Sequence, residues 1–438
     1  MNDAEFSQYL IIGAGPGGYK MVADLAAEGK SVTIIEKGLL GGTCLNRGCI
    51  PTKCLCASAS VLDTIRSAEI FGVVTDGVRA DYGKAHERTV SVVDSLRSDI
   101  KMMLRGVKIV SGEAKFVADK TVAVGEQLYT ADKIVIATGS RPAQLRCEGA
   151  DKAIDSDGFL ALNHLPEGPV VIVGGGVIGL EFAGILNSFG LDVTVVEFCK
   201  EVLPGLDSEL AKRLRSRMSR NGIKFMTSTA VKEIADGKVV AEGRKGLVEI
   251  EVATVIAAVG RRPILPEGLD VTAIRLTEKG FIAVDLQTFE TTVSGVYAVG
   301  DVNGLCMLAH AAEVQAAVVA GKVVKTSPMP SVVFTHPEFA SVGSFDGYAS
   351  VKVPYGSNGK ALAEGEDEGI LKLVYDAESG RVVGCHVLGA HAADLVAEAT
   401  LAIAKGMTLS DVASTIHAHP TLSELVRTAA EQALGTTK

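Results

Sequence analysis

Two stretches of the chain carry the same order of apolar and polar positions. Residues 9–37 read YLIIGAGPGGYKMVADLAAEGKSVTIIEK, and residues 170–198 read VVIVGGGVIGLEFAGILNSFGLDVTVVEF. Each is an apolar run, a glycine turn, a stretch with helical spacing and a second apolar run ending near a glutamate, which predicts two β–α–β units. A constant offset of 161 superimposes Gly13 on Gly174, Gly15 on Gly176, Gly18 on Gly179, Thr33 on Thr194 and Glu36 on Glu197. The most apolar stretch, 170–190, contains Glu181 and four closely spaced glycines. It reads as a buried strand and helix rather than a membrane span.

After the second unit, 207–221 has the spacing of a charged amphipathic helix, and short strand signals run from 223 to 258. Residues 280–301 have strand character, and the alanine-rich 309–325 predicts a helix. Ser327-Pro328-Met329-Pro330 punctuates the chain as a boundary. Strands are expected over 331–342, 369–375 and 382–388, then helices over 392–405 and 420–434, an α+β order. The predicted architecture is α/β: two Rossmann-like nucleotide-binding domains and a C-terminal α+β domain. The expected limits are 1–148 and 266–327 for the first domain, 149–265 for the second and 328–438 for the third.

A chain of 438 residues exceeds what one core supports, in keeping with several domains. Its net charge of −9, with no long basic block, argues against nucleic acid as a partner. The start has no export or transit pattern, no lipoyl-bearing extension is expected before Tyr9, and a cytoplasmic location is expected. Eight cysteines are too few for a disulfide scaffold at this length, so a close pair points to catalysis or metal binding.

The glycine turns have a chemical use. In such a turn the first glycine permits the bend, the second lets backbone approach a pyrophosphate, and the third brings helix onto strand. The helix N-terminus then offers N–H groups to phosphate, and the acid accepts from ribose hydroxyls. The alternative is that both turns serve packing alone. Glu197 welcomes a free 2′-hydroxyl and repels a 2′-phosphate, and Phe198-Cys199-Lys200 supplies no arginine, so NAD is expected.

Between the two units lies GGTCLNRGCIPTK, residues 41–53. On a regular helix the Cα atoms of Cys44 and Cys49 would stand roughly 8–9 Å apart. A disulfide wants about 4.4–6.8 Å. Joining them requires a distorted helix start, which Gly48 and Pro51 allow. A strained, accessible disulfide cycles easily. A structural disulfide is the first alternative. Metal binding by Cys44, Cys49, Cys54 and Cys56 is the second, although that spacing fits neither zinc nor ferredoxin patterns. Cys54 and Cys56 are expected as small core residues, and Cys147, Cys199, Cys306 and Cys385 as buried fillers.

GGTCLNRGCIPTK resembles the active-site segment of the class I pyridine nucleotide–disulfide oxidoreductases, and further matches run along nearly the whole chain. Within that family it is most similar to the dihydrolipoamide dehydrogenase branch. The resemblance implies FAD in the first Rossmann unit, NAD in the second and a redox disulfide beside the flavin. Cys49 would make a charge-transfer contact with flavin, and Cys44 would exchange with the substrate dithiol. Lys53 would sit by the flavin, paired with Glu181. For FAD the resemblance implies Gly13, Gly15, Gly18, Glu36, Gly42, Thr43 and Ala114. It adds Thr138, Gly139 and Ser140 of IVIATGS, Asp301 of a second FAD motif, and Met307, Ala309 and His310 at a helix over the flavin. For NAD it implies Gly174, Gly176, Val177, Ile178, Gly179, Glu181, Glu197, Val231 and Gly260. No residues are assigned to metal.

Residues 417–424, HAHPTLSE, form the second discriminating motif. Pro420 suits the first position of a helix, with His419 at its cap and Glu424 just over a turn inside. Attack on a disulfide needs thiolate; a histidine can take the thiol proton while a carboxylate on its other nitrogen fixes the tautomer. In the family this His–Glu pair comes from the partner subunit, so the resemblance implies a homodimer with shared active sites. His417 is expected to be a polar structural contact. Arg47 departs from the small apolar residue usual in the family, and a helix is missing between Val342 and Val351.

The expected function is oxidation of protein-bound dihydrolipoamide with reduction of NAD. Lipoyl domains of 2-oxo acid dehydrogenase or glycine cleavage systems would be its partners. The alternative within the family is a glutathione-reductase-like enzyme acting on another disulfide. From a different class, a non-catalytic subunit of a multienzyme complex would need none of Cys44, Cys49, Lys53, His419 or Glu424.

Overall fold

The computed structural model describes residues 4–323 and 328–435. Among these residues, the first unit is a seven-stranded sheet. Its centre is the strand Glu5–Ile12, flanked in parallel by Val32–Glu36 and Gln127–Ile136. Lys108–Ser111 extends one side, and Val296–Ala298 joins Gln127–Ile136 in parallel from far along the chain. Leu10, Ile11 and Ile12 are all buried, as expected of a parallel strand covered on both faces.

The second unit repeats the plan with a five-stranded parallel sheet centred on Val170–Val173. An antiparallel three-stranded meander, Ala230–Ala235, Lys238–Gly243 and Gly246–Glu251, packs its apolar side against Val171, Val173 and Val196. The two connections between the units run side by side, because Ser140–Pro142 pairs with Arg261–Pro263.

The C-terminal unit is a five-stranded antiparallel sheet covered by the helices Ala392–Lys405 and Glu424–Ala433. It meets the second unit at a buried ion pair. Lys372 donates to Asp207 Oδ2 at 2.6 Å and to the Phe345 carbonyl at 3.1 Å. The other oxygen of Asp207 caps the helix Ser208–Arg220 by accepting from the amides of Glu209 and Leu210. Buried His386 lies beside it, bridging Ser341 and the Ser344 carbonyl.

Several expectations need correction. The last helix starts at Glu424, not Pro420, and its N-cap is Ser423 rather than His419. Asn358 donates to the Thr421 carbonyl and the Thr421 amide donates to Glu424, so residues 420–423 stand before the helix. Residues 280–301 hold one regular strand, Val296–Ala298; Gly280 and Gly295 have positive φ, and Asp285 ties a turn through Gln287 and Thr288. The segment 331–342 is two strands, Ser331–Val333 and Glu338–Gly343, separated by a turn. The strand Ala349–Pro354 was not expected; it pairs with Ile370–Tyr375, and its alternation is short. The helix Ala309–Val319 is shorter than expected, and Val324, Lys325 and Ser327 lie outside the described residues. Of the four scattered cysteines only Cys385 is buried; Cys147, Cys199 and Cys306 are partly exposed. Among the described residues no helix is long and apolar enough to cross a membrane.

Burial pushes the Asp207 carboxyl up, but the hydrogen bonds from Lys372 and Leu210 outweigh it and leave the group below its usual range. The stability it lends is therefore complete at neutral pH and is lost on acidification through that lowered range. Lys372→Met strands a buried carboxylate and should cost about 3 kcal/mol in denaturant unfolding at neutral pH. Adding Asp207→Asn, which keeps a cap, should restore part of that loss.

Candidate active site

The two glycine turns are built alike. Gly13 and Gly174 have φ of 106° and 111°, and a Cβ on either would meet a carbonyl oxygen of the neighbouring strand's end at 2.4 and 2.3 Å. A Cβ on Gly18 or Gly179 would come within 2.0 Å of the first glycine's own carbonyl. Only glycine permits these approaches. The helices that follow, Pro16–Ala27 and Val177–Ser188, have glycine N-caps, Gly15 and Gly176, and no side-chain cap. Their first-turn N–H groups, including those of Val177 and Ile178, are thus available to an anion.

The matched acids sit identically. Glu36 accepts from the amides of Ala14 at 2.6 Å and Gly38 at 2.7 Å; Glu197 accepts from Gly175 at 2.5 Å and Cys199 at 2.6 Å. Two backbone amides aim each carboxylate at the end of its strand. A cleft lined by Gly13, Glu36, Ala114, Thr138 and Ile264 opens beside the first. That brings four of the residues expected at FAD around one concave site, and a glycine cradle with an oriented carboxylate fits a dinucleotide. An arginine missing from 198–200 arrives from a distant hairpin: Arg244 donates to Ser228, whose amide donates to the Cys199 carbonyl. Only the fold brings it there.

Asp301 follows Gly300, whose amide is fixed by Gln315. Its carboxylate accepts from Ser140, and Arg261 donates to both the hydroxyl and the carbonyl of Ser140 at 2.7 and 2.8 Å. The arginine thereby links the second unit to the Asp301 end of the first. Gly139 has φ of 71°, and the Gly260 carbonyl accepts from the Ala143 amide. Ala309 opens the helix Ala309–Val319, Met307 is exposed just before it, and His310 Nε2 pairs with the Pro330 carbonyl. Val231 lies at a bulge of the meander, where the register of Ala230–Ala235 against Lys238–Gly243 shifts.

The redox segment is seated on the first turn. The Gly41 amide donates to the Ala14 carbonyl, and Gly42, at φ 59°, lies so close that a Cβ would be 2.6 Å from the Gly15 Cα. Asn46 ties the loop by donating to the Leu40 and Gly42 carbonyls, while Arg97 donates twice to Asn46 Oδ1. Sequence reading missed both; Arg97 is 51 positions away and carries no motif. A first helix, Gly42–Arg47, with Thr43 in its first turn, ends at Gly48 (φ −151°, ψ −115°), and a second, Cys49–Arg66, begins. A Cβ on Gly48 would stand 2.9 Å from the Thr43 carbonyl oxygen.

That break lets the two thiols hydrogen-bond to each other. The bond to Cys49, reinforced by burial, pushes the Cys44 thiol far up; the same bond, helped by the Lys53 charge, lowers Cys49. Lys53, one turn further on, reaches both oxygens of buried Glu181 at 3.0 and 2.9 Å. Cys54 is buried as expected, whereas Cys56 is partly exposed at the edge of that core; burial, with Glu181 adding, pushes its thiol up to about 12. Arg47 is exposed and pairs through Nε with Asp157 at 3.2 Å.

His419 Nδ1 meets Glu424 Oε1 at 3.0 Å, with the imidazole 81% exposed. Glu424 lies below the usual carboxylate range because the Thr421 amide and then His419 bond to it. His417 is instead a structural group, its ring enclosed between Glu398 and the Thr415 carbonyl. Among the described residues no hydrogen bond or ion pair joins His419 to the Cys44–Cys49 loop of the same chain.

Residues 7–316 match the pyridine nucleotide-disulphide oxidoreductase family, and residues 329–430 match the dimerisation domain of that family. The chain belongs to this family of flavoprotein oxidoreductases. It is 40% identical to a dihydrolipoyl dehydrogenase of Geobacillus stearothermophilus, over 98% of this chain and 97% of that protein. It is 36% identical to another of Chlamydia muridarum, over 95% and 94%. Among solved structures it superimposes on the HOCl-induced flavoprotein disulfide reductase RclA from Escherichia coli, in its Cu(II) complex. That match has a TM-score of 0.87 at 25% identity, over 99% of this chain and all of that one. FAD and NAD are the cofactors of the family's dihydrolipoyl dehydrogenase members.

Gly42→Ala should force the redox segment off the first glycine turn and weaken flavin binding about tenfold or more. Bound flavin per folded chain, read from visible absorbance, checks it; full flavin content would contradict the seating described here.

Proposed function

We propose that the protein is a dihydrolipoyl dehydrogenase that oxidises protein-bound dihydrolipoamide and reduces NAD. The observation that carries this reading is the hydrogen-bonded Cys44–Cys49 pair beside the Lys53–Glu181 ion pair, in a chain whose full-length relatives bear that name. The proposed units are 1–148 with 266–327 for FAD, 149–265 for NAD and 328–438 for dimerisation. The active site is shared: His419 and Glu424 of one subunit serve the cysteines of the other, in keeping with an exposed imidazole on the dimerisation domain. The lipoyl domains of 2-oxo acid dehydrogenase or glycine cleavage systems are its substrates, in the cytoplasm.

The chemistry assigned to the chain's own residues is thiol–disulfide exchange. His419 takes the proton from one substrate thiol, and Glu424, accepting at Nδ1, leaves Nε2 to do so. The substrate thiolate attacks Cys44, the Cys44–Cys49 bond breaks, and Cys49 leaves as a thiolate beside Lys53. The second substrate sulfur, deprotonated in turn, attacks the mixed disulfide, closing the lipoyl ring and releasing Cys44. The enzyme pair has gained the two electrons the substrate lost. Bound FAD would supply the acceptor for those two electrons, between the cysteine pair and NAD. Gly13, Gly15, Gly18, Glu36, Gly42, Ala114, Thr138 and Asp301 would hold it, while Gly174, Gly176, Gly179 and Glu197 would hold NAD.

His419→Gln should leave bound flavin unchanged and lower dihydrolipoamide-dependent NAD reduction about 100-fold or more. Near-normal turnover would remove His419 from the role of base. Steady-state turnover of dihydrolipoamide should far exceed that of glutathione, and NAD should far exceed NADP. Preference for glutathione with NADP would overturn the substrate assignment.

A further inference from the structure

Glu181 is buried between the first and second units, yet one of its hydrogen bonds comes from the third. The Phe334 amide donates to Glu181 Oε1 at 2.9 Å, the oxygen that also takes Lys53 at 3.0 Å. The Phe334 ring lies under the same lysine, with Nζ 4.5 Å from its centroid. One residue therefore touches both ends of the ion pair, the carboxylate by its backbone and the ammonium by its ring.

Its placement is fixed by packing. Phe334 follows the strand Ser331–Val333 and opens a turn closed by the Thr335 hydroxyl on the Pro337 carbonyl. Val333 is fully buried in the same apolar core as Leu180 and Phe182, the residues on either side of Glu181. The turn cannot shift without opening that core.

We propose that Phe334 is a positioning residue for the redox pair: it holds Lys53 and Glu181 as one unit, so that the C-terminal domain sets the charge beside Cys49. A cation over an aromatic face is held most firmly where water is partly excluded, and Lys53 is one-third exposed while Glu181 is buried. Without the ring, the ammonium samples solvent and spends less time near the Cys49 sulfur. Within the chain, Cys44, Lys53 and Glu181 act on Cys49, with Cys56 and Glu338 behind the ion pair; from the other subunit, His419 is assigned to the same cysteines. Through Phe334 the C-terminal domain acts on the cysteines of its own chain, whereas His419 is assigned to those of the partner.

This inference rests on the reading of Cys44–Cys49 as the redox pair, and its test is separate from turnover. In the flavin-loaded full-length protein carrying Cys44→Ser, Cys49 is the remaining thiol of the loop. Its alkylation by iodoacetamide, quantified on the Cys49 peptide by mass spectrometry, follows the thiolate as pH is varied. Phe334→Leu, which keeps the amide on Glu181, should move the midpoint upward. The neutral-pH rate should fall about threefold to tenfold, with bound flavin and the limiting rate at high pH unchanged. Phe334→Tyr should restore the parent curve, and in a Lys53→Gln background the Phe334→Leu shift should vanish. Should the leucine variant fail to fold, Phe334→Met carries the same readings. An unmoved midpoint, or an equal shift with and without Lys53, overturns the proposal. A Lys53-dependent shift, combined with no turnover of dihydrolipoamide by the protein that retains Cys44, upholds it and overturns the substrate assignment alone.

Discussion

Two sulfurs five residues apart cannot meet on a regular helix, and the site depends on how the chain escapes that constraint. Gly48 stops one helix and lets another start at an angle, with backbone so close to Thr43 that a side chain there would collide. Cys44 and Cys49 are thereby brought together; that contact and burial push the Cys44 thiol up, while the contact and the Lys53 charge lower Cys49. Lys53, one turn beyond Cys49, is the cation that favours its thiolate. A loop that merely allowed the cysteines to approach would not assign them different roles.

The break holds its shape because it is anchored on both sides. Toward the nucleotide turn, Gly41 and Gly42 lie on Ala14 and Gly15, and Asn46 with Arg97 braces the loop from behind. Toward the second and third units, Lys53 reaches Glu181, which in turn accepts from Phe334. The cysteines thus sit where three units converge, and the ion pair is buried enough that removal of either partner leaves an uncompensated group. The paired crossings at Ser140–Pro142 and Arg261–Pro263, and the Lys372–Asp207 bridge, fix the second unit against the other two.

The architecture was legible because a repeated apolar pattern carries its own register. Gly13 and Gly174, Glu36 and Glu197 occupy matched environments down to the amides that orient the acids. Cys44 and Cys49, and His419 with Glu424, were also legible, since each pair lies in a compact motif; the Lys53–Glu181 pair, 128 positions apart, was reached only through the family resemblance. What escaped were contacts between residues far apart in sequence: Arg97 on Asn46, Arg244 near Cys199, Arg261 on Ser140, and Phe334 on Glu181. No local pattern marks these, because a backbone amide or a lone arginine acquires its role only from folding. The start of the last helix was misplaced for a related reason, as Pro420 suits a first helical position yet the Thr421 amide was already engaged by Glu424.

The central claim is that Cys44 and Cys49 together form one two-electron redox unit. Differential alkylation with peptide mapping, before and after anaerobic addition of one equivalent of dihydrolipoamide per chain, tests it directly. The account predicts that the oxidised protein yields Cys44 and Cys49 as a linked peptide, and that the dithiol releases both as free thiols while the other cysteines keep their labelling. Free, labelled Cys44 and Cys49 in the oxidised protein, or no change on adding the dithiol, would contradict it.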